Sequence, residues 1–597
     1  MPEAGPQGAV TSAPEAASPA PPGVQRRRLA WAWGTAAFAV TVIVLWFLYL
    51  HVSRTQRVES DGASNALQAW DMLHGNLLLR GWTVTDVSFY TTELPEYLLV
   101  EAVRGLNADV LHVAAALSYA LLVPLAAILA RGRATGREAV LRMVIAAGIM
   151  VAPEPGAGVF IVLFQPDHIG TQVPMLVTWL VLDRLPRRWY APVIIGVMLT
   201  WIGIGDKIVL LIGVVPLVLV CFVRALRLWR TVMPWRDMLG QAWRPAGLRV
   251  AWYEISLAVA AVLSYPVTSV AVKIIHALGG YTVLPVGTAL ASPGKLPLHI
   301  RLATDGVLGL YGANFQGPPA GLNLFFAILH LVGVALAIWA LWLAFRRFFP
   351  ADDLIAQVLA VSIVVNVAAY LVSGKPTAYW SVREMAGILP AGAVLAGRVL
   401  GPLLAARLGL ATGRPGLATE RPGLATGRLG LAPGRLGGPG ALAGRLWRAL
   451  AAGLALVLLG YLAALGWAAT RPSVPGVGQD LQAWLRTQGL TYGLAEYGLA
   501  NSTTLAAGNA VEIRPVVTEP HRLAPGPHEY DINWYDPRAH DANFVVLLNT
   551  PEALDPMTRA QAVAAFGQPA HEYHYKIFEI LTWDKNLLAQ LGPQAPD

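Results

Sequence analysis

Residues 26–51 read RRRLAWAWGTAAFAVTVIVLWFLYLH. Three arginines precede a run of about twenty apolar residues, long enough to cross ~30 Å of hydrocarbon as a helix. Working outward, comparable runs recur at 108–130, 139–163, 171–186, 190–205, 207–223, 251–276, 322–345, 353–373, 385–400 and 447–469, making eleven with 29–51. Those at 171–186, 190–205 and 385–400 are short, and 152–170, with Pro153, Pro155 and Gly156, is expected to be partly re-entrant. Composition agrees: over 597 residues the chain is 55% hydrophobic, only 13% charged, with a mean hydropathy of +0.52. So few charges cannot cover a soluble protein of this length. The expected fold class is mostly α, a polytopic membrane bundle of about 11 transmembrane helices with a C-terminal α/β domain.

The net charge of +8 could point to nucleic acid, but the placement of the basic residues explains it otherwise. Arg26, Arg27 and Arg28 put the N-terminus on the cytoplasmic side. Alternation then places Arg131/Arg133/Arg137, Arg184/Arg187/Arg188, the Arg-rich 224–249, Arg346/Arg347 and 398–448 on that same side. Roughly 26 Lys and Arg fall there against roughly 10 in the opposite loops, the asymmetry that orients membrane proteins. No nucleic acid is needed, and the expected location is the plasma membrane, multi-pass, with the C-terminal domain outside.

The remaining segments divide by composition. Residues 1–28 read as a disordered cytoplasmic tail rich in Ala, Pro and Gly. Residues 29–400 form the transmembrane core, interrupted by a long external loop, 52–107. Residues 401–446 are a basic low-complexity loop whose units GLATGRP, GLATERP, GLATGRL and GLAPGRL repeat every seven residues; Gly and Pro in the units exclude a coiled coil. Residues 447–472 hold the last span, and 473–597 form an external α/β domain. In that domain LQAWLRTQGL and PMTRAQAVAAFG read as helices, and AVEIRPVV, NFVVLLN and YKIFEILTW as strands. Its histidines, among them His528, His540, His571 and His574, have irregular spacings and read as surface groups. The single cysteine, Cys221, excludes an internal disulfide and any cysteine-based metal cluster.

Chemistry is expected among the acids of the loops opposite the arginines. An ionised carboxylate at bilayer depth costs about 2.5–3.5 kcal/mol unless paired or hydrated, so such groups usually line an aqueous cavity. Asp167, between FIVLFQP and IGTQVPMLVTWLVL, and Glu154, between two prolines, are in that situation. In the first loop, ASNALQAWDMLHGNLLL predicts a helix lying along the membrane surface, with Asp61 placed to cap its N-terminus near Ser64.

The run Ser60–Leu99, SDGASNALQAWDMLHGNLLLRGWTVTDVSFYTTELPEYLL, resembles the first external loop of C-type (GT-C fold) glycosyltransferases that use polyprenyl-phosphate sugars. Protein O-mannosyltransferases and the aminoarabinose transferases of lipid A belong to that class. Asp61 matches its first acid, Ala69, Met72 and Gly75 its surface helix, Trp82 its aromatic, Glu93-Leu94-Pro95 its turn, and Asp167 its second acid. Leu94 departs from the pattern, standing where some members place a lysine that contacts the donor phosphate.

The resemblance implies an integral membrane glycosyltransferase. It would move a sugar from a polyprenyl-phosphate donor to a glycan, lipid or protein acceptor of the cell envelope, on the external face and with inversion. Asp61 and Asp167 are the implied catalytic pair, with Asp61 as general base. Glu93, His168, Arg383, Glu384 and Glu154 are the candidate substrate-binding residues. The leaving phosphate needs a cation, either Arg383 or a divalent ion (Mg or Mn) held by Asp61 and Asp167. Two other functions fit the span pattern: a lipid or sugar transporter, and a non-catalytic membrane scaffold.

Overall fold

The structure, a computed structural model, describes residues 22–232, 249–285, 287, 289–315, 321–349, 352–410, 440–519, 522–526, 528–548 and 557–592. The N-terminal tail up to residue 21 and nearly all of the heptad repeat lie outside the described residues.

Each of the eleven apolar runs forms a helix. Eight of the described helices are long and apolar enough to cross a membrane: Trp31–Ser53, Asp109–Arg131, Leu210–Thr231, Trp252–Ala277, Leu322–Arg346, Leu354–Val372, Ile388–Arg407 and Leu446–Ala469. Three are shorter: Gly136–Met150, Gln172–Arg184 and Tyr190–Gly205. The run at 139–163 is broken. Its helix stops at Met150, the chain passes through Pro153 and Pro155, and a single short helix, Ala157–Val162, follows. Proline has no N–H to continue the helical ladder and biases the residue before it towards extended backbone.

Asp109–Arg131 and Ile388–Arg407 are the central helices, 78% and 83% buried over their apolar windows. Both are rich in small residues, alanine in the first and alanine with glycine in the second, which lets backbones approach where lipid supplies no hydrophobic drive. A Cβ at Gly397 would lie 2.5 Å from the carbonyl oxygen of Arg142. Trp252–Ala277 and Leu446–Ala469, each 17% buried, form the outer face and leave their aliphatic side chains to lipid.

Nine strands are described: β1 (Trp82–Val84), β2 (Thr282–Val283), β3 (Tyr492–Ala495), β4 (Glu512–Glu519), β5 (Arg522–Pro525), β6 (Tyr530–Asp531), β7 (Phe544–Leu548), β8 (His571–Tyr575) and β9 (Phe578–Thr582). Six make the sheet of the C-terminal domain, in the order β5-β4-β3-β7-β9-β8, parallel at β4-β3-β7 and antiparallel elsewhere. Helices Val477–Thr487, Tyr497–Ala506 and Arg559–Phe566 complete it. The segments expected to be helix or strand contain them, although YKIFEILTW takes in the end of β8, a turn at Lys576 and then β9; β3, β5, β6, most of β8 and Tyr497–Ala506 are additional.

A second sheet, β2-β1-β6, decides how the domain sits. It joins the first long loop (β1), the segment after Trp252–Ala277 (β2) and the C-terminal domain (β6). The consequence for helix Ser60–Leu73 corrects the sequence reading. Most of its residues are buried, polar Ser64, Asn65 and Gln68 included, because it is packed between Leu94–Arg104 and Tyr497–Ala506. It is an inter-domain helix rather than one resting on a bilayer surface. Amphipathicity showed that one face would be covered, but not by what.

Candidate functional site

The first turn of Ser60–Leu73 carries Asp61. Its carboxylate does not cap the helix as expected; the N-cap position is Glu59, which makes no side-chain cap hydrogen bond. Asp61 instead faces out of the helix. Its Oδ2 accepts from Arg383 Nη1 at 2.8 Å, and its Oδ1 accepts from the Tyr497 hydroxyl at 2.9 Å. Arg383 projects from the short 3-10 turn Tyr379–Met385, its guanidinium 5.6 Å from the centre of the Trp380 ring. The same Nη1 lies 3.7 Å from Asp167 Oδ2.

Asp167 belongs to the irregular segment between Ala157–Val162 and Gln172–Arg184. It accepts from Asn65 Nδ2 at 3.0 Å and from Gln165 Nε2 at 2.7 Å, while Gln165 Oε1 takes the N–H of Gly62 at 3.0 Å. The amide of Gln165 thus locks the segment to the helix that carries Asp61. A Cβ on Gly62 would come 2.7 Å from Gln165 Oε1, so any larger residue there would displace the amide that makes this link.

One guanidinium nitrogen therefore holds both acids. Asp61 keeps 30% of its side chain exposed and Arg383 28%, whereas Asp167 keeps 3%. Burial works against the Asp61 charge, but the charge and hydrogen bond of Arg383, with the Tyr497 hydroxyl, outweigh it and hold the group below the usual carboxylate range. Burial wins at Asp167, pushed up to about 6 despite Arg383. Glu59 is pushed up to about 7 by partial burial and the neighbouring Asp61 charge.

Behind this pair lies a second polar layer. Glu93 Oε1 accepts from the Thr171 N–H at 2.7 Å; the Thr171 hydroxyl, with a single proton, lies 2.9 Å from that oxygen and 3.0 Å from Asp206 Oδ2. His168 Nδ1 lies 2.8 Å from that same Asp206 oxygen. Burial disfavours the imidazolium, but Asp206 more than offsets it and His168 is raised. His168 has a positive φ of 60°, a left-handed conformation uncommon for residues with a side chain, and it contacts Asp206 and the Phe89 ring. Glu384 sits within electrostatic reach of His168, Arg383 and the Lys375–Asp86 ion pair. Leu94 is fully buried and turned into the core.

Glu154 is not brought into this cluster. Its Oε2 accepts the Gly158 N–H at 3.3 Å, and it serves the turn that opens Ala157–Val162. Glu154→Gln keeps an acceptor oxygen there, so the turn is expected to survive and the thermal midpoint of the variant to match that of the unmodified protein; a marked fall would show that the carboxylate itself holds the turn.

The sequence reading missed Tyr497, Glu529, Asn65, Gln165 and Thr171. Gln165, two residues before Asp167, was within reach of a local search; Tyr497 and Glu529, in the C-terminal domain, offered no spacing to read. The residues do not fit a divalent cation held by Asp61 and Asp167. All four of their carboxylate oxygens already face N–H or O–H donors, and the cation beside both is the Arg383 guanidinium. Among the described residues no group of three or more His, Cys, Asp or Glu side chains could hold a metal ion.

These observations define a multi-pass membrane protein whose polar site is assembled where the helical bundle meets a strand-containing domain. No family model matches the chain, and no curated protein matches it closely. Among solved structures it is similar to ArnT from Cupriavidus metallidurans bound to undecaprenyl phosphate, with 16% identity, 94% of this chain and 99% of that one covered, and a TM-score of 0.47. It is also similar to the Archaeoglobus fulgidus oligosaccharyltransferase tethered with an acceptor peptide, with 14% identity, 80% and 63% covered, and a TM-score of 0.41.

Proposed function

We propose that the protein is a membrane glycosyltransferase that moves a sugar from a polyprenyl-phosphate donor to a hydroxyl acceptor at the bundle–domain junction, with inversion. The observation that carries this reading is the pairing of Asp61 and Asp167, the two acids the resemblance singled out, on Arg383, a candidate for the phosphate contact, at a partly exposed position outside the spanning helices. The acceptor hydroxyl attacks the anomeric carbon while Asp61 takes its proton. The bond from that carbon to the phosphate oxygen breaks, and the lipid phosphate leaves with the electron pair. Attack from the face opposite the phosphate inverts the centre. Arg383, fully charged at any working pH, offsets the negative charge that grows on the leaving group. With Leu94 buried, Arg383 also takes the phosphate contact that a lysine makes elsewhere in the class. His168 and Glu93 support the Asp167 segment from behind, and Glu384 adds an acceptor for sugar hydroxyls.

Asp61 is favoured as base because, of the two acids on Arg383, it alone has an open face. Glu59 is the runner-up: it is adjacent, free of a cap hydrogen bond, and its value of about 7 suits proton uptake at neutral pH. A transporter would place its charges near the bilayer midplane between repeats; here the acids lie on loops and a helix outside the spans.

We place this site on the external face of the plasma membrane, on the arginine asymmetry. Reporters of cytoplasmic and external location fused after Leu408 and after Asp597 should report opposite sides, cytoplasmic and external respectively. The same side at both points would overturn the orientation. Release of polyprenyl phosphate and of glycosylated acceptor by purified protein given a polyprenyl-phosphate sugar tests the activity itself.

A further inference from the structure

The C-terminal domain reaches into the site through two side chains that the reaction above leaves without a role. Tyr497 opens helix Tyr497–Ala506, and its hydroxyl is hydrogen-bonded to Asp61 Oδ1 at 2.9 Å and to Glu529 Oε2. Glu529 is buried and adopts a positive φ of 56°, unusual for a residue with a side chain. Three elements hold it there. Its N–H donates to the Thr83 carbonyl of β1 at 2.7 Å, and its carbonyl accepts from Asn501 Nδ2 at 3.2 Å and from Ser64 Oγ, on the Asp61 helix, at 3.3 Å. A strained backbone fixed from three sides aims one carboxyl at one hydroxyl. The His528 ring, 4.8 Å from that of Tyr497, covers the pair.

A phenol has one proton, so it donates to one carboxylate and accepts from the other. Burial keeps Glu529 protonated well above the ordinary range, while Asp61 is held ionised. The proton order is then Glu529 O–H to Tyr497 oxygen, and Tyr497 O–H to Asp61.

Resting on the proposed transferase reading, we propose that Tyr497 and Glu529 are positioning residues that complete the site from the C-terminal domain, fixing Asp61 Oδ1 so that the other face of the carboxylate meets the acceptor hydroxyl. The bundle alone holds Asp61 through Arg383 only, which leaves the carboxylate free to swing about that contact. The domain is thus a working part of the site rather than an appended module. The charged and titratable groups facing Asp61 are Arg383 from the 3-10 turn, Asp167 from the segment before Gln172, His528, Glu529 and Tyr497 from the C-terminal domain, and Glu59 at the N-cap of its own helix.

The test uses the full chain in lipid nanodiscs and two readouts. The first is transfer kinetics for Tyr497→Phe, Glu529→Gln and Glu529→Ala. A hydrogen bond to an ionised group supports a loss of about 10- to 100-fold in kcat for Tyr497→Phe with the donor KM little changed. Glu529→Gln, whose amide N–H still donates to the phenol oxygen, should retain several-fold more activity than Glu529→Ala. The second readout needs no turnover: pH-dependent labelling of Asp61 by a water-soluble carbodiimide with an amine, read by mass spectrometry. Carbodiimide reacts with the protonated acid, so loss of the Tyr497 donor should move the labelling midpoint to higher pH. Unchanged kcat in Tyr497→Phe with an unmoved midpoint overturns the inference. If the unmodified protein transfers no sugar from any polyprenyl-phosphate donor, the transferase reading fails, and the labelling midpoint alone decides whether the pair positions Asp61.

Discussion

Asp61→Asn is expected to cut sugar transfer by about 100- to 10,000-fold, the range a general base commonly contributes. The substitution is nearly isosteric. Asparagine can still accept from the Tyr497 hydroxyl through its oxygen, but it cannot take a proton from the acceptor. Its amide also presents N–H where Arg383 needs an acceptor, so the guanidinium shifts towards Asp167. Folding should survive, because the position is partly exposed and the helix cap does not depend on it. Glu59→Gln, measured alongside, should stay within about threefold. The informative result is the contrast: if Glu59→Gln is the inactive variant and Asp61→Asn turns over normally, the base is Glu59 and Asp61 merely anchors Arg383.

Arg383→Met is expected to be the most damaging substitution for stability and activity together. It removes the one cation between two carboxylates, one of them almost fully buried. Deleting one partner of a buried ion pair costs about 3–5 kcal/mol, because the remaining charge is left uncompensated. The protein escapes part of that by protonating Asp167, already raised to about 6 with Arg383 in place. The sign follows from the shift. An acid whose folded value is raised contributes fully below its unfolded value, and the contribution is lost as pH rises through the folded value. The deficit of Arg383→Met, read as a fall in thermal midpoint, should therefore be larger at pH 8 than at pH 5. Arg383→Lys should recover much of the stability but less of the turnover, since an ammonium that meets both carboxylates lacks the further fixed N–H donors a guanidinium keeps for the leaving phosphate. An equal deficit at both pH values, with transfer intact, would place Arg383 outside the site.

Much of the architecture was open to reading because the relevant physics is local. Each apolar run forms a helix, and the proline pair at 153 and 155 breaks the one run where a break was expected. The strands AVEIRPVV, NFVVLLN and YKIFEILTW also follow from short-range pattern. Asp61, Asp167 and Arg383 were legible as candidates because each is a charge beside an apolar segment, where an unpaired ion is costly.

What local pattern could not supply was partnership. Arg383 meets Asp61 across 322 positions of sequence, and Tyr497 meets it across 436. The burial of Ser60–Leu73 against the C-terminal domain follows from β6 pairing with β1, a contact between strands of two and three residues that no propensity distinguishes from loop. The sequence by itself determined that this protein is a helical membrane bundle with a strand-containing C-terminal domain, because hydropathy and charge act on each segment independently of the rest of the chain. Only the tertiary structure decided that Asp61 is bridged to Asp167 by an arginine, excluded Glu154 from the cluster, and brought in Tyr497 and Glu529, because a hydrogen bond between distant residues exists only once the intervening chain has packed.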